Sequence, residues 1–245
     1  MRKSYFWALA VLAVSTVLTG CEKEDKDAIE MSVVKKGVQI IEVDGKQYEV
    51  VDMGFSNKLL WATCNLGADS PEQNGNFYAW GETEPKTNFT IDNYKWMEGR
   101  GVYKKYCLRI EEKDIRKDTI DNKKSLDASD DAVKAALGDR WSTPSIDDFK
   151  ELLERTTFRC CKLNGAWGYL FTCKENGNSI FLPLAGFTDE SDNFFIGKRG
   201  RYWSSSISSN STMEAKMFSL DKPTNPVHSR SEERYLGFSI RPVYK

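Results

Sequence analysis

The sequence predicts an α+β domain in which two helices pack beside a small, twisted, mostly antiparallel sheet with large loops. Three observations carry this reading. Short strand-like runs recur, with Asp-Gly and Asn-Gly pairs between several of them. Only two stretches combine helical periodicity with capping residues. Aromatic residues are plentiful, with seven Trp, while turn formers are frequent and long helical patterns are few.

The N-terminus reads as a leader and not as part of the fold. Arg2 and Lys3 precede the apolar run Tyr5 to Leu18, which at 14 residues is shorter than the about 20 a membrane span needs and fits a signal peptide. The run ends in Leu18-Thr19-Gly20-Cys21, which resembles the bacterial lipobox, in which the Cys thiol is acylated and becomes residue one. Residues 1–20 are therefore assigned to a lipoprotein signal peptide and Cys21 to lipidation. Each buried acyl methylene contributes about 0.8 kcal/mol, so several chains anchor firmly. The following "EKEDKDAIE" is charged and without apolar periodicity. It makes 21–37 a charged tether, either a plain solvated one or an acidic signal resembling that for surface export. Residues 38–245 form a single domain, since no linker interrupts them.

Within that domain, "VQIIEVDGKQYEVVDMG" reads as a hairpin turning at Asp44-Gly45. Leu59 to Thr63 forms a short buried strand, and Asp69 to Asn76 a loop. Residues 86–124, rich in Lys and Asp, read as a surface excursion. "SDDAVKAALG" forms a helix with Ser129 as its N-cap, acids in the first turn and Gly138 as its stop. "STPSIDDFKELLER" forms a second, with Ser145 and Asp148 as a capping box and Ile146, Phe149, Leu152 and Leu153 as one stripe. Capping accounts for these Asp pairs better than catalysis or calcium ligation. From Phe158 the chain turns to strands, with turns at Asn164-Gly165 and Asn176-Gly177. "RYWSSS", "AKMFSL" and "LGFSIRPV" supply three more.

Charge and cysteine use exclude several functions. Without residues 1–20, which carry two basic and no acidic side chains, 33 basic residues face 36 acidic, a balance of −3. That lacks the basic footprint nucleic-acid binding requires. Five cysteines remain beyond Cys21: Cys64, Cys107, Cys160, Cys161 and Cys173. An exported chain permits disulfides, and an odd number leaves at least one thiol without an intrachain partner. With no C-x-x-C and only His228, a Cys/His zinc site is not expected. No metal or other cofactor is assigned.

Five motifs in order, "VDMGFSNKLLWATCNLGADSPEQNGNFYAWGETEPK", "RWSTPSIDDFKELL", "SIFLPLAGF", "GRYWSSS" and "GFSIRPV", resemble the Fibrobacter succinogenes major paralogous domain proteins, abundant as lipoproteins in Bacteroidetes. The resemblance covers about residues 50–245. It implies a C-type-lectin-like fold, with residues 48–53 and 238–243 paired as terminal strands and the helix at 145 as the second fold helix. It also implies display of a variable ligand surface on a stable frame. Calcium lectins of this fold use a Glu-Pro-Asn or Gln-Pro-Asp loop and a Trp-Asn-Asp strand. Here Lys86 follows Glu84-Pro85, and "YWSSS" replaces the latter. Formylglycine-generating enzymes share the broad fold, but their C-terminal redox cysteine pair has no counterpart after Cys173.

The functional expectation is a non-catalytic ligand-binding or adhesion module, lipid-anchored in the outer membrane and exposed on the cell surface. Its partners would be an extracellular glycan or protein, with no nucleic acid. The alternative is a structural component, pilus-associated or of the envelope. Strand alternation sets Trp203 inward and Tyr202 outward beside Arg201. Ser204 to Ser211 reads as too polar for a core. The candidate ligand face is Arg201, Tyr202, Ser208, Asn210, Lys216, Arg230 and Tyr235, the last two from a polar "HSRSEERY" loop, in which His228 is read as solvated. Cys21→Ser releases the chain from membranes or stalls its processing in a fractionation assay. Unchanged membrane recovery and maturation would contradict lipidation.

Overall fold

The computed structural model describes residues 25–99, 101–109, 119–222, 224 and 226–245. The signal segment 1–20 and Cys21 lie outside them. In chain order the described residues form β1 (Ala28–Ile29), α1 (Met31–Val34), β2 (Val38–Val43), β3 (Lys46–Asp52), β4 (Leu60–Ala62), β5 (Met97–Glu98), β6 (Val102–Tyr103), α2 (Ala132–Leu137) and β7 (Trp141–Ser142). There follow α3 (Ile146–Arg155), β8 (Thr156–Leu163), β9 (Ala166–Cys173), β10 (Ser179–Pro183), β11 (Phe187–Asp189), β12 (Asp192–Phe194), β13 (Arg199–Ile207), β14 (Glu214–Asp221), β15 (Val227–Glu233) and β16 (Val243–Tyr244). The fold is mixed α+β, mostly sheet with short helices.

The strands divide among several sheets and not one. A five-stranded sheet runs β2-β3-β4-β16-β7, a four-stranded one β1-β8-β9-β10, and a three-stranded one β13-β14-β15, with two hairpins, β11-β12 and β5-β6. Among these named strands only β1 and β8 pair in parallel. The C-terminal strand does not meet residues 48–53 directly. β4 lies between, antiparallel to both β3 and β16. Within "LGFSIRPV" three consecutive residues make single bridges, Gly237 to Thr188, Phe238 to Tyr78 and Ser239 to Tyr202.

Local chemistry explains the turns. Asp44 and Gly45 have φ of 50° and 75°, and Asn164 and Gly165 47° and 83°. Both pairs have the two positive φ values a type I′ hairpin needs, which Asn, Asp and Gly adopt at least cost. Gly168 serves close approach: a Cβ there would lie 2.6 Å from the Leu182 carbonyl oxygen on β10. α3 begins as the sequence predicts. Ser145 Oγ accepts from Asp148 N–H at 3.2 Å, and Asp148 Oδ2 accepts from Ser145 N–H at 2.7 Å. Its buried Ile146, Phe149 and Leu152 face the core.

α2 begins later than the sequence suggests. Ser129 lies in a 3-10 turn (Ala128–Asp130), and Asp131 is the cap, accepting from Val133 N–H at 2.9 Å. Asp131 also accepts from Thr143 N–H at 2.9 Å and Oγ1 at 2.7 Å. These two bonds from Thr143 fix the Asp131 carboxylate at the helix start, while the Ser129 hydroxyl turns to Asp130.

Of the tether expected over 21–37, residues 21–24 lie outside the described residues, and the rest is not a plain tether. Residues 25–37 carry β1 and α1, and Val34 is buried with Cys161, Leu163, Leu170 and Phe181 while Ile29 and Met31 pack against them. The flanking charge run masks these apolar residues in the sequence. The excursion 86–124 is likewise no mere surface loop. It buries Phe89, Tyr94, Tyr103, Tyr106 and Cys107. "VHSRSEE" forms β15, an edge strand, so His228 lies on a strand.

Two large cores share the β13-β14 ribbon. One holds Trp80, Trp141, Trp203, Met217 and Phe238. The other holds Trp61, Phe149, Phe171, Tyr202 and Phe218. Trp203 stacks on Phe238 at 4.1 Å between centroids, and Phe149 on Phe218 at 4.6 Å. Ser145→Ala costs about 1 kcal/mol through the lost cap. A denaturation midpoint equal to wild type would place the start of α3 elsewhere.

Candidate functional site

The seven candidate ligand residues do not share one exposed face. Arg201, Tyr202 and Ser208 are buried. Tyr202 does not project outward, because β13 has a core on each side and alternation in burial disappears when both faces are covered. Its hydroxyl donates to the Pro183 carbonyl at 2.6 Å and accepts from Asn65 Nδ2 at 3.4 Å. Burial pushes that hydroxyl up to about 12. Truncating a buried aromatic of this size costs about 3–5 kcal/mol, so Tyr202→Ala reports on stability and not on contact.

The serines are not a displayed loop throughout. Ser204 is fully buried, and its Oγ donates to the Lys216 carbonyl at 2.7 Å. Ser206 Oγ accepts from Ile146 N–H at 3.2 Å, at the start of α3. Small hydroxyls satisfied by main-chain groups enter a core without the cost of an unpaired polar atom. Ser208 Oγ accepts from Asn210 N–H at 3.3 Å, and Ser209 and Asn210 are exposed. Tyr235 is half-buried and donates to Glu233 Oε2 at 2.7 Å. Lys216 is half-buried and sits opposite Ser231, while its neighbour Met217 sits opposite Arg230. Successive residues point to opposite faces, so Lys216 and Arg230 do not converge.

Arg201 and Arg230 do converge, on a residue not anticipated from the sequence. Asp221 Oδ1 lies 2.9 Å from Arg201 Nη1 and 3.6 Å from Arg199 Nε, and Oδ2 lies 3.3 Å from Arg230 Nη1. Ser219 Oγ bridges, accepting from Arg201 at 2.8 Å and donating to Asp221 at 3.0 Å. Burial raises the Asp221 pKa, but the hydrogen bond and charge of Arg201 outweigh it and hold the carboxyl below its ordinary range. The Arg201 side chain is 4% exposed and that of Arg230 50%. Arg201 is thus the support, and Arg230 is the side chain offered to solvent. Arg199 turns to stack over Phe195 at 4.1 Å. The Arg199↔Asp221 and Arg201↔Ser219 register brings these groups to one face, and only strand pairing reveals it.

Other constellations have structural roles. Asp130 accepts from Tyr106 Oη at 2.6 Å and pairs with Lys105 at 2.5 Å. Lys86 pairs with Glu82 at 2.9 Å beside the Glu84-Pro85 stretch. A cleft of about 110 Å³ is lined by Tyr48, Glu49, Cys64, Asn65 and Trp141 among others, without a histidine. Among the described residues no group of three or more His, Cys, Asp or Glu side chains is arranged to hold a metal ion, and no helix is long and apolar enough to cross a membrane. Comparison of the chain with protein families, curated proteins and solved structures finds no match.

Because the folded Asp221 pKa is depressed, its contribution to stability is present in full above the ordinary carboxylate value of about 3.9 and is lost as the pH falls through the folded value. Asp221→Asn lowers the melting temperature at neutral pH and makes the acid limb of the stability profile shallower than in wild type. Parallel acid limbs would remove Asp221 from this role.

Proposed function

We propose that this chain is a lipid-anchored cell-surface module that binds an extracellular glycan or protein without chemistry. Its frame is of the C-type-lectin-like kind seen in the Fibrobacter succinogenes major paralogous domain proteins it resembles. The observation that carries the binding reading is Arg230, half-exposed on edge strand β15 and held from behind by Asp221 and the buried Arg201. A guanidinium fixed in this way loses little freedom when it meets a partner, and Arg is among the residue types that dominate interfaces. The exposed Ser209-Asn210 turn adds small hydrogen-bonding groups that adapt to a ligand. The address rests on the Leu18-Thr19-Gly20-Cys21 motif, and the frame on two capped helices beside mostly antiparallel strands.

The test is a screen of the mature chain against glycans and extracellular proteins, with and without calcium. For a ligand so found, Arg230→Ala weakens binding by more than about 1 kcal/mol and leaves the melting temperature unchanged. If affinity is instead lost by substitutions at the Asp44-Gly45 turn and kept in Arg230→Ala, the ligand sits elsewhere on the domain.

A further inference from the structure

Three consecutive apolar side chains, Phe194, Phe195 and Ile196, stand exposed at the end of β12, at 38%, 44% and 52% of their full accessible area. Phe187 stacks on both phenylalanines, at 5.6 and 5.9 Å between centroids, so the cluster is held and not splayed. Cations border it. Lys198, Arg199 and Lys222 are exposed on the side that follows Ile196, with Arg199 held 3.6 Å from Asp221, while Asp192 is exposed on the hairpin side, and the Lys222 amide donates to the Lys198 carbonyl at 3.0 Å. Among the described residues no carboxylate is ion-paired with Lys198 or Lys222. An apolar tip with a basic rim has the chemistry of a bilayer surface: hydrocarbon for the rings and anionic headgroups for the lysines.

The course of the chain selects the occupant. Asp25, the first described residue, pairs with Lys162 at 2.5 Å. Lys162 and Lys222 both sit over the Trp167 ring, at 4.7 and 3.0 Å from its centroid. A Cβ on Gly197, next to Ile196, would lie 4.0 Å from Trp167 Cδ1. The point where the chain enters the domain and the apolar tip are therefore neighbours across one tryptophan. From Cys21 to Asp25 the chain is four residues, about 14 Å at full extension.

We propose that the Phe194–Ile196 tip and its basic rim rest on the lipid surface, so that the domain is seated against the membrane and not suspended from it. This rests on the lipid-anchor part of the function proposed above. The Ser209-Asn210 turn follows β13 at its opposite end, so such seating turns that end away from the bilayer, while Arg230, which shares Asp221 with the rim residue Arg199, lies at the margin of the seated face and meets its partner from the side.

The test uses the full lipidated chain in vesicles of phosphatidylethanolamine with a minor share of phosphatidylglycerol. p-Benzoylphenylalanine replaces Phe195 in one variant and Asn210 in another. On irradiation, position 195 gives several-fold more lipid adduct than position 210, while both variants melt as wild type. Equal lipid labelling at the two positions, or a protein adduct in place of a lipid one at 195, overturns the seating. Flotation of the same samples reads the anchor independently. If wild type floats and Cys21→Ser does not, the anchor stands whatever the labelling shows. If wild type itself does not float, the anchor is at fault and the seating falls with it.

Discussion

Two buried arginines organise this molecule from within. Arg241 and Arg234 are completely buried, and among the described residues neither is ion-paired with a carboxylate. Their donors go to oxygens of the chain itself. Arg241 donates to Asn65 Oδ1 at 2.9 Å, to the carbonyls of Ala62 at 3.0 Å and Phe181 at 2.9 Å, and to that of Thr63. Arg234 donates to Tyr94 Oη at 2.9 Å and to the carbonyls of Thr212 at 2.9 Å and Lys105 at 3.0 Å. A guanidinium presents a planar fork of five donors. Burying one with partners missing would cost several kcal/mol, so these irregular segments must converge or the C-terminal strands cannot be buried. The long loops are in this sense part of the core. The excursion after residue 86 curls around Arg234 with the rings of Trp80, Tyr94, Tyr103 and Tyr106 about it.

The same economy governs the β13-β14 ribbon. A strand with water on one face can alternate apolar and polar side chains, but a ribbon between two cores needs every side chain to be apolar or satisfied. Here the large aromatics take one core each, and polar atoms among them are paired with the main chain or with one another. Trp203 Nε1 donates to the Tyr78 carbonyl at 2.8 Å, and Trp80 Nε1 donates to that of Ser204 at 2.7 Å. The ribbon thus joins the two cores mechanically. Polar function is left to its ends and to the outer edge, β15. The Asp221 cluster lies at that boundary, with one guanidinium inside the protein and two reaching water.

The hairpin turns and the cap of α3 were legible from the sequence because each is decided within a few residues. Asp44-Gly45 and Asn164-Gly165 adopt positive φ at low cost wherever they stand between strands. Ser145 and Asp148 cap each other across three positions. The mixed α+β class follows from the sum of such local decisions. What only the tertiary structure decided depends on residues far apart in the chain. Arg201, before Tyr202-Trp203, and Arg230, between two serines, both read as surface candidates, yet pairing with β14 makes one a buried support and the other a solvent-facing side chain. Tyr202 looks outward by alternation until Pro183, Asn65 and α3 cover it. Ile29, Met31 and Val34 are hidden in a charged run until β8, β9 and β10 offer them an apolar face. Burial is set by what arrives on the other side of a strand, and long-range pairing supplies that covering.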